Sequence, residues 1–141
     1  MAGAASGVAV DDNCVSTFMD LKKKRKYRWV VYKIDGEKKV ILEATGEPDA
    51  SYESFTEMLP EHECRYGLYD HDYVDIEGCQ KSKIVFFAWS PDTAKVKMKM
   101  LYASSKDSFR RLLDGIHFEI QATDASEVEM KEIQAKCGPT L

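Results

Sequence analysis

The residues best suited by type to do chemistry in this chain are an oxygen-rich run, Asp70-His71-Asp72-Tyr73-Val74-Asp75-Ile76-Glu77-Gly78, together with three histidines and four cysteines. The run resembles a calcium loop. Its sixth position, however, is Asp75 where the sharp turn needs glycine, and its twelfth is Lys81 where a bidentate glutamate belongs. It reads as a polar strand end. His62, His71 and His117 have no serine or cysteine at a spacing that makes a nucleophile–base pair, and there is neither a phosphate-cradling glycine loop nor a G-x-S-x-G elbow. Cys14, Cys64, Cys79 and Cys137 form no C-x-x-C pair and no zinc spacing. The N-terminus has neither a basic n-region nor an apolar h-region, so they read as reduced thiols of an intracellular protein. No catalytic residue, metal ligand or cofactor is expected.

Charge and surplus apolar surface are the remaining candidates. Lys22-Lys23-Lys24-Arg25-Lys26 is an unbroken cationic block in a chain of net charge -4. That total is too acidic for a nucleic-acid binder. The block has three readings: a helix end that complements the macrodipole, a nuclear import signal, or a patch that attracts phosphoinositide head groups. The second candidate is Ala94 to Ala103, A-K-V-K-M-K-M-L-Y-A. At about 100° per residue, Ala94, Met98, Leu101 and Tyr102 share one arc, while Val96, Lys97, Lys99, Met100 and Ala103 share roughly the opposite one. A helix on a sheet needs one apolar stripe. The second stripe is either packed on a neighbouring loop or is a partner-binding ridge, since apolar surface rimmed by charge marks interfaces.

The elements that must position these residues are legible from periodicity. The first ten residues, small and uncharged, read as a flexible tail, and residues 11–141 as one domain. Asp11 and Asp12 precede Cys14, Phe18 and Leu21 at i, i+4, i+7, a helix of roughly four turns. Trp29–Ile34 and Lys39–Glu43 read as strands joined across Asp35-Gly36. Tyr52, Phe55 and Leu59 mark a short helix that Pro60 stops. Cys64–Val74 and the doubly apolar Lys83–Trp89 follow as strands, the latter central. Ser90-Pro91-Asp92 reads as a helix start, and the Ser104-to-Asp107 spacing as a capping box that should break or kink that helix. Phe118, Ile120 and Ala122 alternate as a last strand, and Ser126–Lys136 reads as a final helix ended by Gly138-Pro139. The expected fold is a single-domain α/β (α+β) architecture: a mixed sheet of five to six strands sandwiched by about five helices. The longest apolar run, Ile84–Trp89, is far short of the ~20 residues of a membrane span.

Ile84-Val85-Phe86-Phe87-Ala88-Trp89-Ser90-Pro91-Asp92, Met100-Leu101-Tyr102-Ala103-Ser104-Ser105-Lys106-Asp107 and Gln121-Ala122-Thr123-Asp124 closely resemble the actin-depolymerising factor/cofilin family, in its plant-type branch. Shorter matches at Ala5–Val10, Tyr32-Lys33-Ile34, Glu63–Tyr66 and Gln80–Lys83 extend the resemblance over the whole chain, in order. It implies a monomeric, non-enzymatic protein of the cytoplasm and cytoskeleton, with access to the nucleus. It implies binding to actin monomers and filaments, with severing and depolymerisation of filaments. The family's actin-binding helix falls on Pro91–Ala103, with Val96, Lys97, Lys99 and Met100 as contacts alongside Ser6 and Gly7. Lys97 and Lys99 are expected to be the electrostatic half of that contact, their joint loss abolishing monomer binding. The family's filament-side surface falls on Lys81, Lys83 and Lys136. Ser6 falls on the family's phosphorylated serine, implying a protein kinase as partner, and phosphoinositide head groups are implied as inhibitors at 22–26. Two departures stand out. His71 replaces an aromatic residue, and Glu127, Glu129 and Glu132 make the last helix acidic, which would favour a monomer-binding or phosphoinositide-binding module with weak severing.

Overall fold

Six strands form one mixed sheet in the computed structural model, which describes residues 7–140. The elements in chain order are β1 (Ala9–Val10), α1 (Asp12–Lys23), β2 (Trp29–Asp35), β3 (Lys39–Gly46), α2 (Tyr52–Thr56), β4 (Arg65–Val74), β5 (Gln80–Trp89), α3 (Val96–Arg111), β6 (Phe118–Ala122), a 3-10 turn (Ala125–Val128) and α4 (Met130–Cys137). The sheet order is β1-β3-β2-β4-β5-β6, antiparallel in the middle and parallel at both edges. The β2–β3 turn has positive φ at both central residues, Gly36 (57°) and Glu37 (60°), with Lys38 N donating to Asp35 O at 3.0 Å. That is the primed turn whose twist suits a hairpin.

Two apolar layers cover the sheet. On one face α1 and α3 bury Cys14, Phe18, Leu21, Tyr102 and Phe109 against Val30, Tyr32, Tyr66, Leu68 and Phe86. On the other, α2, the 3-10 turn and α4 bury Tyr52, Phe55, Val128 and Ile133 against Trp29, Tyr69, Val85, Phe87 and Trp89. Phe55 lies so close over β4 that a Cβ at Gly67 would meet its ring at 2.7 Å, so this strand position needs glycine for approach, not for turning.

Four expectations are corrected. Residues 8–10 belong to the fold: Val8 is 1% exposed and Ala9–Val10 pair in parallel with Lys39–Val40. The tail boundary drawn at residue 10 is therefore too late; Ser6 lies outside the described residues. The long helix starts at Val96, not at Ser90. Ser90 N and Asp92 N instead donate to Ala122 O and Thr123 O, 2.9 and 3.4 Å away, which ties the segment to the end of β6. Nor does α3 break at 104–107. Ser104 Oγ donates back to Leu101 O at 3.1 Å, so the serine bonds within the helix rather than capping a new one. The last helix is divided because the buried Tyr52 hydroxyl takes the Val128 carbonyl (2.5 Å), and Glu129 turns extended before α4 begins.

Candidate functional site

The α3 helix is locked to the sheet by its buried face. Beyond Tyr32, β2 runs past its pairing with β4, and Tyr102 Oη accepts the Ile34 N–H there at 2.8 Å. Tyr66 Oη in turn donates to the Tyr102 carbonyl. The Tyr66 ring packs 5.0 Å from Tyr102 and stacks at 5.3 Å on Phe109, whose edge meets Tyr32 at 5.0 Å. At the far end of the helix Lys106 (2.8 Å) and Arg110 (3.0 Å) straddle Glu119 of β6. Burial pushes the Glu119 carboxyl up, but hydrogen bonds from Lys106 and Gln121 and the charges of Lys106 and Arg110 outweigh it and hold it below its ordinary 4.5. A lowered carboxylate contributes stability that is complete above pH 4.5 and is lost as pH falls through the native value. Thermal melts between pH 5 and pH 3 are expected to show a smaller acid loss for Glu119→Gln than for the unaltered protein; identical slopes would show that this pairing does not contribute.

With that face committed, the opposite one meets solvent. Val96 and Met100, one turn apart, are 66% and 67% exposed, and among the described residues only Ile76 is a comparably exposed large apolar side chain. Lys97 stands beside them and pairs with Glu37 Oε1 at 2.9 Å. Lys99 is half-buried, its ammonium donating to Asp92 O at 3.2 Å. The hairpin tip that carries Glu37 also holds the N-terminal segment, because Ala9 N donates to Lys38 O at 2.9 Å. Gly7 has φ +83° and open space around it. The hairpin tip therefore links the segment after Gly7 to the α3 edge that exposes Val96, Lys97 and Met100, with Lys99 turned partly inward. Sequence reasoning missed Glu37; a hairpin pairing with a helix sixty residues away leaves no local signal.

Lys81 and Lys83 precede Val85 and Phe87 at two-residue spacing, so they extend the sheet face that carries α4. Lys81 Nζ lies 3.4 Å from Asp75 Oδ2, and Asp75 bridges to Thr140 just beyond α4. Burial pushes the Cys137 thiol up while the charge of Lys83 draws it down, so Lys83 and the exposed Lys136 flank the same helix end. The acidity expected of the last helix is largely displaced from it. Glu127 sits in the 3-10 turn, where it accepts from Thr123 N and Oγ1 (both 2.8 Å), and Glu129 stands at the N-cap position without a side-chain cap bond; α4 itself carries Lys131 and Lys136 against Glu132.

The cationic block is also divided. Arg25, at φ 53°, is committed to β4, its Nε 3.0 Å from Asp70 Oδ2 and Nη2 2.5 Å from Asp72 Oδ1, while Arg28 reaches Asp72 Oδ2 at 2.9 Å. Lys22 Nζ donates to Asp114 O at 2.8 Å. Lys23, Lys24 and Lys26 remain exposed. The calcium-like run is closed on itself: Asp75 Oδ1 accepts from Glu77 N and Cys79 N, both at 2.9 Å. His71 is buried, stacked on Tyr73 at 5.5 Å, and burial lowers its pKa, so the neutral ring serves as an aromatic spacer.

Comparison with known proteins matches residues 7–138 to the family of cofilin/tropomyosin-type actin-binding proteins. Actin-depolymerizing factor 7 of Oryza sativa is 56% identical over 139 residues, covering 98% of this chain and 100% of that protein. Actin-depolymerizing factor 2 of Arabidopsis thaliana is 57% identical, with coverage of 96% and 98%. The crystal structure of Streptomyces griseoflavus cofilin superposes with a TM-score of 0.85 at 40% identity, covering 94% of this chain and all of that one.

Proposed function

We propose, because this chain belongs to the cofilin/tropomyosin-type actin-binding protein family, that it binds actin monomers through the exposed edge of α3 and filaments through that edge and a second, basic surface. On filaments it promotes severing and depolymerisation, without enzymatic chemistry. One observation carries this reading: Val96 and Met100 stand in water on a helix whose other face is fully engaged by the sheet. Isolated apolar residues on a surface need no explanation, but two on one helical turn, beside Lys97, form a small rigid anchor of the kind interfaces use.

Lys81, Lys83 and Lys136 form the filament-side surface in this reading, supported by their common position around the end of α4. Within α4 itself Lys131 and Lys136 stand against Glu132, which favours filament binding over a module with weak severing. Ser6 acts as the off-switch: a protein kinase adds about -1.5 to -2 charges there, one residue before Gly7 in the sequence. Phosphoinositide head groups inhibit through Lys23, Lys24 and Lys26, the cations of the block with exposed side chains not drawn to β4 or Asp114. Exposed lysines are attracted to anionic head groups at a membrane surface, and the same block serves nuclear entry.

Co-sedimentation with actin filaments, alongside a fluorescence titration of actin monomer, tests the two surfaces. Lys81→Ala/Lys83→Ala should sediment about tenfold less well with filaments and keep its monomer affinity, as expected of rim charges that steer one contact only. Equal loss of both activities would put these lysines on the monomer surface. Ser6→Asp should lose most of both and Ser6→Ala neither; full activity of Ser6→Asp and of the phosphorylated protein would remove Ser6 as the switch.

A further inference from the structure

We propose that the cleft between α2 and the Ala125–Val128 turn is a docking site for a partner's cationic peptide segment bearing an apolar anchor. The cleft has a volume of about 740 Å³, the size of a ligand-binding cavity. Its floor is apolar, formed chiefly by Tyr52, Leu59, Trp89, Val128 and Met130. Its rim is not: six of its sixteen lining residues are carboxylates, Glu53, Glu57, Glu61, Asp92, Asp124 and Glu129, and none is Lys, Arg or His.

The polar atoms of the floor are already used. Tyr52 Oη donates to Val128 O across the cleft and Trp89 Nε1 to Pro60 O at 2.7 Å, while Thr93 Oγ1 donates to Glu61 O at 2.9 Å. These bonds tie the surrounding segments together at a fixed spacing, so the cleft exists before anything enters it. They also mean that it offers an occupant apolar area and negative charge, with few free hydrogen-bonding groups. The charge is little neutralised from within. The side chains of Glu53 and Glu57, one helical turn apart, have no hydrogen bond or ion pair among the described residues, and Glu61 and Glu129 have only 3.8 Å contacts with His62 and Lys131. Six carboxylates around one opening repel one another, and an occupant carrying several lysines or arginines relieves that repulsion while its apolar side chain covers the floor. An acidic or neutral segment gains only the second term. Val96 and Met100 do not line the cleft, so the proposal does not depend on the actin-binding reading.

The probe is the capped heptapeptide Lys-Leu-Lys-Phe-Arg-Leu-Lys, titrated calorimetrically into the full chain with no actin present. Binding tighter than about 0.1 mM is expected at low salt, weakening severalfold as the salt is raised because partly exposed charges are screened. Glu53→Lys/Glu57→Lys should bind it at least about tenfold more weakly with an unchanged melting temperature; Glu53→Gln/Glu57→Gln, which keeps the shape and removes only charge, should lose about threefold. No heat of binding, equal affinity for the analogue with glutamate at every basic position, or unchanged affinity in both variants overturns the proposal. A concentration-dependent dimer of the unaltered protein that the same substitutions dissociate would assign the cleft to a second copy of this chain, and overturns it too.

Discussion

Replacing Val96 and Met100 together by aspartate is expected to weaken actin-monomer binding at least about a hundredfold, or ~2.7 kcal/mol, with the melting temperature unchanged. The fold does not need either side chain: both already stand two-thirds in water, so aspartate removes nothing from the core. At an interface each would bury enough apolar area for about 1.5–3 kcal/mol, and a carboxylate in its place must also be desolvated. Lys97→Ala should cost much less, under about tenfold, because the ammonium already shares its charge with Glu37 at 2.9 Å on an exposed surface. Lys99→Ala should be intermediate, since the alanine also releases the Asp92 carbonyl. This ranking shifts the weight of the contact from the lysines, where the sequence pattern put it, to the apolar pair. Titration of labelled actin monomer with the three variants reads it directly. Near-normal affinity in the double aspartate variant would remove the α3 edge as the site.

What could be read without coordinates was what repeats along the chain. The two arcs of α3 came from helical angle alone, and the structure leaves Val96, Lys97, Met100 and Ala103 exposed and Tyr102 buried as that angle requires, while Lys99 is drawn partly inward and Ala94 is buried ahead of the helix. The apolar run 84–89 lies in a central strand covered on both sides, and Phe118–Ala122 is a strand end to end. Local chemistry misled where a tertiary bond competed for the same group. Ser90 and Ser104 both have N-cap side chains; the first is held by β6 and the second bonds its own helix, so neither starts one. The final helix reads as continuous until a tyrosine seventy-six residues away takes one of its carbonyls. The cationic block reads as uniform, although Asp70 and Asp72, two positions apart on β4, withdraw one member of it. Each of these decisions is made by a partner distant in sequence, and no window on one segment contains it.

The largest loss of stability is expected from Tyr102, the residue that couples the candidate site to the sheet. Its ring fills the space between Tyr66 and the α3 backbone at 4% exposure, and its hydroxyl is the acceptor for the Ile34 N–H where β2 has no strand partner on that side. Tyr102→Phe keeps the ring and orphans that buried N–H, which costs about 1–3 kcal/mol. Tyr102→Ala adds the transfer and cavity terms of a lost aromatic ring, about 3–5 kcal/mol. Their sum is of the order of the whole stability of an ordinary domain, about 5–15 kcal/mol, so the alanine variant should melt at least about 15 °C lower and the phenylalanine variant about 5–10 °C lower. The two variants separate packing from hydrogen bonding, and they also separate fold from function. At a temperature where Tyr102→Phe is still folded, the exposed edge of α3 is unaltered, so actin binding should match the unaltered protein. A phenylalanine variant that melts normally would show that water or a shifted backbone satisfies Ile34 instead. One that melts normally but binds actin poorly would mean that the hydroxyl sets the pitch of α3 rather than its attachment, and the apolar edge would then owe its register to this single bond.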